Sequence, residues 1–120
     1  MNSIQNIFKS KEHNLLSIYF TCGFPELNDT GNVIAELEKS GVDFIEVGLP
    51  YSDPMADGPT IQYSSSIALK NGVNLDVIFD QLLAIKDANK TPLVLMGYFN
   101  QLLKYGEDAC LLYTSDAADE

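Results

Sequence analysis

The sequence contains no arginine. Its seven basic residues are Lys9, Lys11, Lys39, Lys70, Lys86, Lys90 and Lys104, so no bidentate guanidinium fork is available to grip a phosphate. Seven cations against seventeen acids give a net charge of −10. That balance argues against a nucleic-acid surface, which needs clustered cations. No lysine falls in or just after a predicted strand, where a Schiff-base nucleophile would be expected. Histidine is as scarce: His13, the single one, precedes the first predicted strand, which argues against serine–histidine and cysteine–histidine catalysis. Cys22 and Cys110 form neither a disulfide framework nor a metal-ligand spacing, and read as free thiols in a reducing cytosol. There is no apolar run of eighteen residues and no basic-then-apolar leader, so neither a membrane span nor a signal peptide is expected, and the chain reads as cytoplasmic.

What the chain does have is acids and prolines gathered in one stretch, residues 43–60, DFIEVGLPYSDPMADGPT. It begins as a strand, with Phe44, Ile45 and Val47 apolar. Leu49-Pro50 and Asp53-Pro54 impose turns, because a residue before proline is pushed out of the helical region. Pro59 then suits the first position of a helix. Strand, long polar loop and helix carry three acids, Glu46, Asp53 and Asp57.

A carboxylate between Ile45 and Val47 is costly to bury unpartnered. It reads in three ways: a structural acid paired with a cation, a half-buried acid with a raised pKa that exchanges protons near neutrality, or one ligand of a divalent-metal site. Asp57 would lie at the mouth of the same strand if the loop folds back, and two acids in unlike surroundings can divide acid and base roles.

The rest of the chain alternates strand and helix. A short amphipathic helix is expected over residues 3–11, from Ile4, Ile7 and Phe8. A strand over 15–21 alternates Leu16, Ile18 and Phe20 with Ser17, Tyr19 and Thr21. A helix capped by Asn28 or Asp29 runs to Ser40, with Val33, Ile34 and Leu37 on one face. Helices over 59–70 and 75–88, the second capped by Asn74, lead to a third strand over 92–98 and a helix over 100–105. Such alternation implies a parallel sheet, either an open doubly wound sheet or a closed eight-fold barrel. No glycine-rich phosphate fingerprint follows the first strand, which favours the barrel.

The run FIEVGLPYSDPMADGPTIQ, Phe44–Gln62, resembles the signature of the tryptophan synthase alpha chain family. The resemblance implies a TIM (β/α)8 barrel and a lyase of tryptophan biosynthesis that splits indole-3-glycerol phosphate into indole and glyceraldehyde 3-phosphate by a retro-aldol reaction. It implies that Glu46 shuttles the proton, and that Asp57 accepts the ring N–H and stabilises the positive charge developing there. Tyr19, Ile61, Met96 and Tyr98 match the pocket beside the indole. The turn Pro50, Tyr51, Ser52, Asp53, Pro54 matches an exposed contact with the beta chain, whose pyridoxal phosphate that chain keeps. No cofactor or metal is implied for this chain, and an alpha2-beta2 heterotetramer is. Alternatives are another phosphate-binding barrel, such as a metal-dependent aldolase using Glu46 and Asp57 as ligands, or a non-catalytic segment that binds the beta chain.

A (β/α)8 barrel takes about 250 residues, and the sequence offers three strand–helix units. Residues 1–110 therefore read as the N-terminal part of such a domain. Residues 111–120, LLYTSDAADE, do not look like the family's next helix and strand, and resemble a translated adapter. Without Asp116, Asp119 and Glu120 the charge moves from −10 to −7, so the acidic character does not depend on them. The phosphate site, which the resemblance puts late in the family's chain, is not among these residues. The polypeptide as written is expected to be inactive and prone to aggregate.

Overall fold

The computed structural model describes residues 3–106. The segment 111–120 and Cys110 lie outside them. In chain order the elements are α1 (Ser3–Ser10), β1 (Ser17–Thr21), a short 3-10 turn (Leu27–Asp29), α2 (Thr30–Lys39), β2 (Phe44–Gly48), α3 (Pro59–Lys70), α4 (Leu75–Ile85), β3 (Leu93–Met96) and α5 (Phe99–Tyr105). The strands form one parallel sheet in the order β1-β2-β3.

Register sorts the strand residues into two faces, because side chains alternate and parallel partners share a side. Ile18, Phe20, Ile45, Val47, Leu93 and Leu95 fall on one face and join Ile34, Ala68, Ile78, Phe79 and Leu82 of α2, α3 and α4 in the core. Phe79, Ile34, Ile45, Ile78, Leu82 and Val47 are all but inaccessible; burying each such side chain contributes roughly 1.5–3 kcal/mol. The other face carries Ser17, Tyr19 and Thr21, then Phe44, Glu46 and Gly48, then Val94 and Met96. Its lower end meets α1, where the Phe8 and Phe44 rings lie 6.1 Å apart.

The element boundaries depart from the sequence reading where side chains capture backbone groups. β1 starts at Ser17, two residues late, because the Leu16 N–H donates to Asp43 Oδ2 at 2.8 Å. α2 is not capped by the Asp29 side chain; that carboxylate accepts from the Glu26 N–H at 3.1 Å and closes the preceding 3-10 turn. α4 stops at Ile85 instead of reaching Ala88. Beyond it, Glu38 Oε2 accepts the Lys90 and Thr91 N–H groups at 2.6 and 3.0 Å and pins the turn into β3. The third strand ends at Met96, so Tyr98 lies outside it, at the N-cap of α5. The cap expected at Asn74 is present, its side chain accepting from the Val77 N–H at 2.9 Å.

Candidate functional site

The polar face of the sheet gathers most of the expected site. Tyr19 and Glu46 are register partners on β1 and β2, with Val94 beside Glu46. Glu46 is half-buried and accepts a hydrogen bond from Ser17 Oγ at 2.8 Å. Among the described residues the ion pair is Lys11–Asp43 at 3.1 Å, so Glu46 is partnered by a serine hydroxyl and not by a cation. Nor do three or more His, Cys, Asp or Glu side chains converge on a point among the described residues.

Glycine at 48 is dictated by Tyr19. A Cβ there would clash with the Tyr19 hydroxyl and come 2.7 Å from the Phe20 carbonyl oxygen. The phenol therefore lies across the end of β2. Burial raises the Tyr19 pKa above the usual phenol range; a hydrogen bond with Thr21 opposes this, and the charge of Asp57 adds to it. Thr21 is itself tied to α3, its hydroxyl 2.8 Å from Ser64 Oγ.

Asp57 is half-buried in the loop between β2 and α3, and its backbone carbonyl accepts from Gln62 Nε2 at 2.8 Å. Ile61 is half-buried in the first turn of α3, and Met96 ends β3 as the register partner of Gly48, 43% exposed. Tyr98 faces the loop: its hydroxyl accepts from the Ala56 N–H at 2.8 Å and its ring stacks on Tyr51 with centroids 5.0 Å apart.

The turn 50–54 is not uniformly exposed, as the sequence reading had it. Ser52 and Asp53 are exposed, Tyr51 and Pro54 are half-buried, and Pro50 is buried. The reason is a bond from Gln101 Nε2 to the Pro50 carbonyl at 2.8 Å, which draws the root of the loop inward.

Ser17 and Gln101 were missed by the sequence reading. Ser17 shares the parity of Tyr19, a signal that could have found it. Gln101 carries none, since its partner is fifty-one residues away. Cys22 is a free thiol sealed in the core, its pKa pushed up to about 12 by burial despite a hydrogen bond with Thr30.

Residues 5–118 match the family model of the tryptophan synthase alpha chain. This chain belongs to that family. It is 59% identical over 101 residues to the tryptophan synthase alpha chain of Christiangramia forsetii, covering 83% of this chain and 40% of that one. The alpha chain of Flavobacterium johnsoniae is 57% identical over 99 residues, covering 82% and 39%. The crystal structure of tryptophan synthase subunit alpha from Legionella pneumophila superposes with a TM-score of 0.87 at 35% identity, over 99% of this chain and 46% of that one. Tryptophan synthase from M. tuberculosis in its aminoacrylate-bound form gives 0.88 at 35% identity, over 98% and 49%. The chain thus spans about two-fifths of the length of the curated relatives it matches. The fold is the TIM (β/α)8 barrel of the family, and the described residues supply three of its strand–helix units. In such a barrel the polar face lines the interior, and the β2–α3 loop stands at the C-terminal mouth.

Proposed function

We propose that this chain supplies the two working carboxylates of a lyase that cleaves indole-3-glycerol phosphate to indole and glyceraldehyde 3-phosphate. The observation that carries the reading is their placement. Glu46 stands on the polar face of β2 with a serine hydroxyl on it, and Asp57 lies half-buried in the loop that follows the C-terminal end of the same strand.

The reaction needs one group that gives and takes a proton and another that stays ionised. Protonated Glu46 delivers its proton to C3 of the indole, turning the ring into an electron sink. Asp57 accepts the ring N–H and stabilises the positive charge on nitrogen. The Glu46 carboxylate then removes the proton from the hydroxyl on the side-chain carbon attached to C3. The bond between that carbon and C3 breaks, its electron pair returns to the ring, indole leaves and the carbon becomes the aldehyde. Glu46 ends as it began, protonated. Tyr19, Ile61 and Met96 suit the walls of the indole pocket.

The chemistry asks nothing of a cofactor in this chain. Exposed Ser52 and Asp53, backed by Pro50, Tyr51 and Pro54, suit a contact with the beta chain, which would hold the pyridoxal phosphate and receive the indole. The setting proposed is the cytoplasm; among the described residues no helix is long and apolar enough to cross a membrane.

The test is a chimera in which this chain replaces the matched stretch of the Christiangramia forsetii alpha chain, assayed for indole release. Glu46→Gln and Asp57→Asn are each expected to lower kcat by about a hundredfold or more, the usual scale for general acid–base and charge-stabilising groups. An active chimera that keeps its rate with Glu46→Gln refutes the reading.

A further inference from the structure

The structure gives an account of one buried amide that the proposed chemistry does not use. Gln101 lies in α5 at 9% exposure, unusual for a glutamine. Its Oε1 accepts from the Tyr98 N–H at 2.8 Å, which caps the helix. Capping needs no burial, and it leaves the other end of the amide unexplained. That end, Nε2, donates to the Pro50 carbonyl at 2.8 Å, at the root of the β2–α3 loop. Glycine at 97 makes the space: a Cβ there would come 2.9 Å from Gln101 Oε1 and 2.9 Å from Leu49 Cδ1.

Tyr98, held by Gln101 through its backbone, reaches the same loop twice more. Its ring stacks on Tyr51, interplanar angle 26°, and its hydroxyl accepts from the Ala56 N–H at 2.8 Å. Ala56 immediately precedes Asp57. The loop's root, its first aromatic and the residue before its carboxylate are therefore all fastened to the N-terminal turn of α5.

We propose that Gln101 and Tyr98 are positioning residues, a clamp that holds the β2–α3 loop so that Asp57 stands over the interior face. The inference deepens the reading of Asp57 given above and rests on it for its catalytic consequence, but not for the clamp itself. Tyr98 accordingly fastens the loop, in addition to the place beside the indole pocket that the resemblance implies for it.

The clamp predicts coupling at a distance. In the chimera, Gln101→Leu removes no bond made by the Ala56 amide, yet that amide is expected to exchange its hydrogen about tenfold faster, through loss of Tyr98 placement. The amides of Ile45 and Val47, deep in β2, are expected to keep their rates. Unchanged exchange at Ala56, or equal acceleration at all three amides, overturns the clamp, whether or not the chimera turns over substrate. In an active chimera, Gln101→Leu and Tyr98→Phe are each expected to lower kcat about tenfold with little change in KM, because Asp57 acts on charge that develops in the transition state. In an Asp57→Asn background the same substitutions should cost nothing further. A full loss in that background shows that the two residues act elsewhere and refutes the positioning role. An inactive chimera counts against the lyase reading, and leaves exchange to decide the clamp.

Discussion

At the scale of single residues, the question is what a carboxylate does in the middle of an apolar strand. Glu46 avoids part of the desolvation cost by facing the barrel interior while Ile45 and Val47 face the helices. Ser17 Oγ then fixes one of its oxygens at 2.8 Å. A hydrogen bond typically contributes about 0.5–1.5 kcal/mol net, and on the proposed reading it also sets the direction from which Glu46 meets a substrate. Ser17→Ala in the chimera is therefore expected to lower kcat/KM for indole release by about tenfold. A rate within twofold of the parent would show that Glu46 needs no such support. Much of this was legible in the sequence. The period-two pattern puts Tyr19 on the polar parity of β1, and an acid inside an apolar run marks Glu46. Tyr98 was not legible in the same way. Parity alone grouped it with Met96, but β3 ends two residues earlier and the side chain turns to Ala56 and Tyr51.

At the scale of elements, the sequence showed where strands and helices exist better than where they stop. Periodicity reports the buried face of an element, whereas its ends are set by long-range bonds such as Glu38 to Lys90 and Thr91. The entry to β2 is the clearest case. The Asp43 carboxylate accepts from the Leu16 N–H and from Lys11 Nζ, and so ties the residues before β1 and after α1 to the start of β2. These two bonds, the backbone one foremost, hold its pKa below the usual carboxylate value. A lowered native pKa means that the unfolded chain binds the proton more readily. The stabilisation is therefore full above the unfolded value, about 3.9, and is lost as pH falls through the native one. Asp43→Asn keeps an acceptor for Leu16 but has no charge to titrate. Denaturant midpoints of the chimera measured from pH 7 down to pH 3 are expected to fall less steeply at the acid end in this variant than in the parent. Parallel acid limbs would mean that Asp43 does not anchor β2 through its charge. At the next junction, Asn74→Ala is expected to cost about 1 kcal/mol, the usual value of a helix N-cap, read from the same midpoints at neutral pH.

At the scale of the whole molecule, the three strands expose what a barrel hides. Among the described residues β1 and β3 each pair on one side, and unpaired strand edges invite association. The interior face carries Tyr19, Glu46 and Met96, a polar and apolar mixture suited to a closed pocket. The barrel was legible from strand–helix alternation and from the acids that follow β2, whereas the sheet order β1-β2-β3 alone fits half of a doubly wound sheet as well. What decides the behaviour of the 120-residue polypeptide is that its relatives use about two and a half times its matched length to close the fold. Closure is what buries the two edges, and on the proposed reading a closed interior is also what lets Glu46 and Asp57 act on the indole away from water. The polypeptide on its own is thus expected to release no indole from indole-3-glycerol phosphate and to sediment as concentration-dependent aggregates, while the chimera sediments as a defined species and releases indole. The buried Cys22 thiol gives an independent reading of the same difference, since a thiol sealed in the core with its pKa near 12 is alkylated only when the core opens. Peptide-resolved labelling at neutral pH is expected to modify Cys22 within minutes in the isolated polypeptide and to spare it in the chimera. Equal protection in both, together with a monodisperse isolated chain, would show that three strand–helix units hold together without the rest of the barrel.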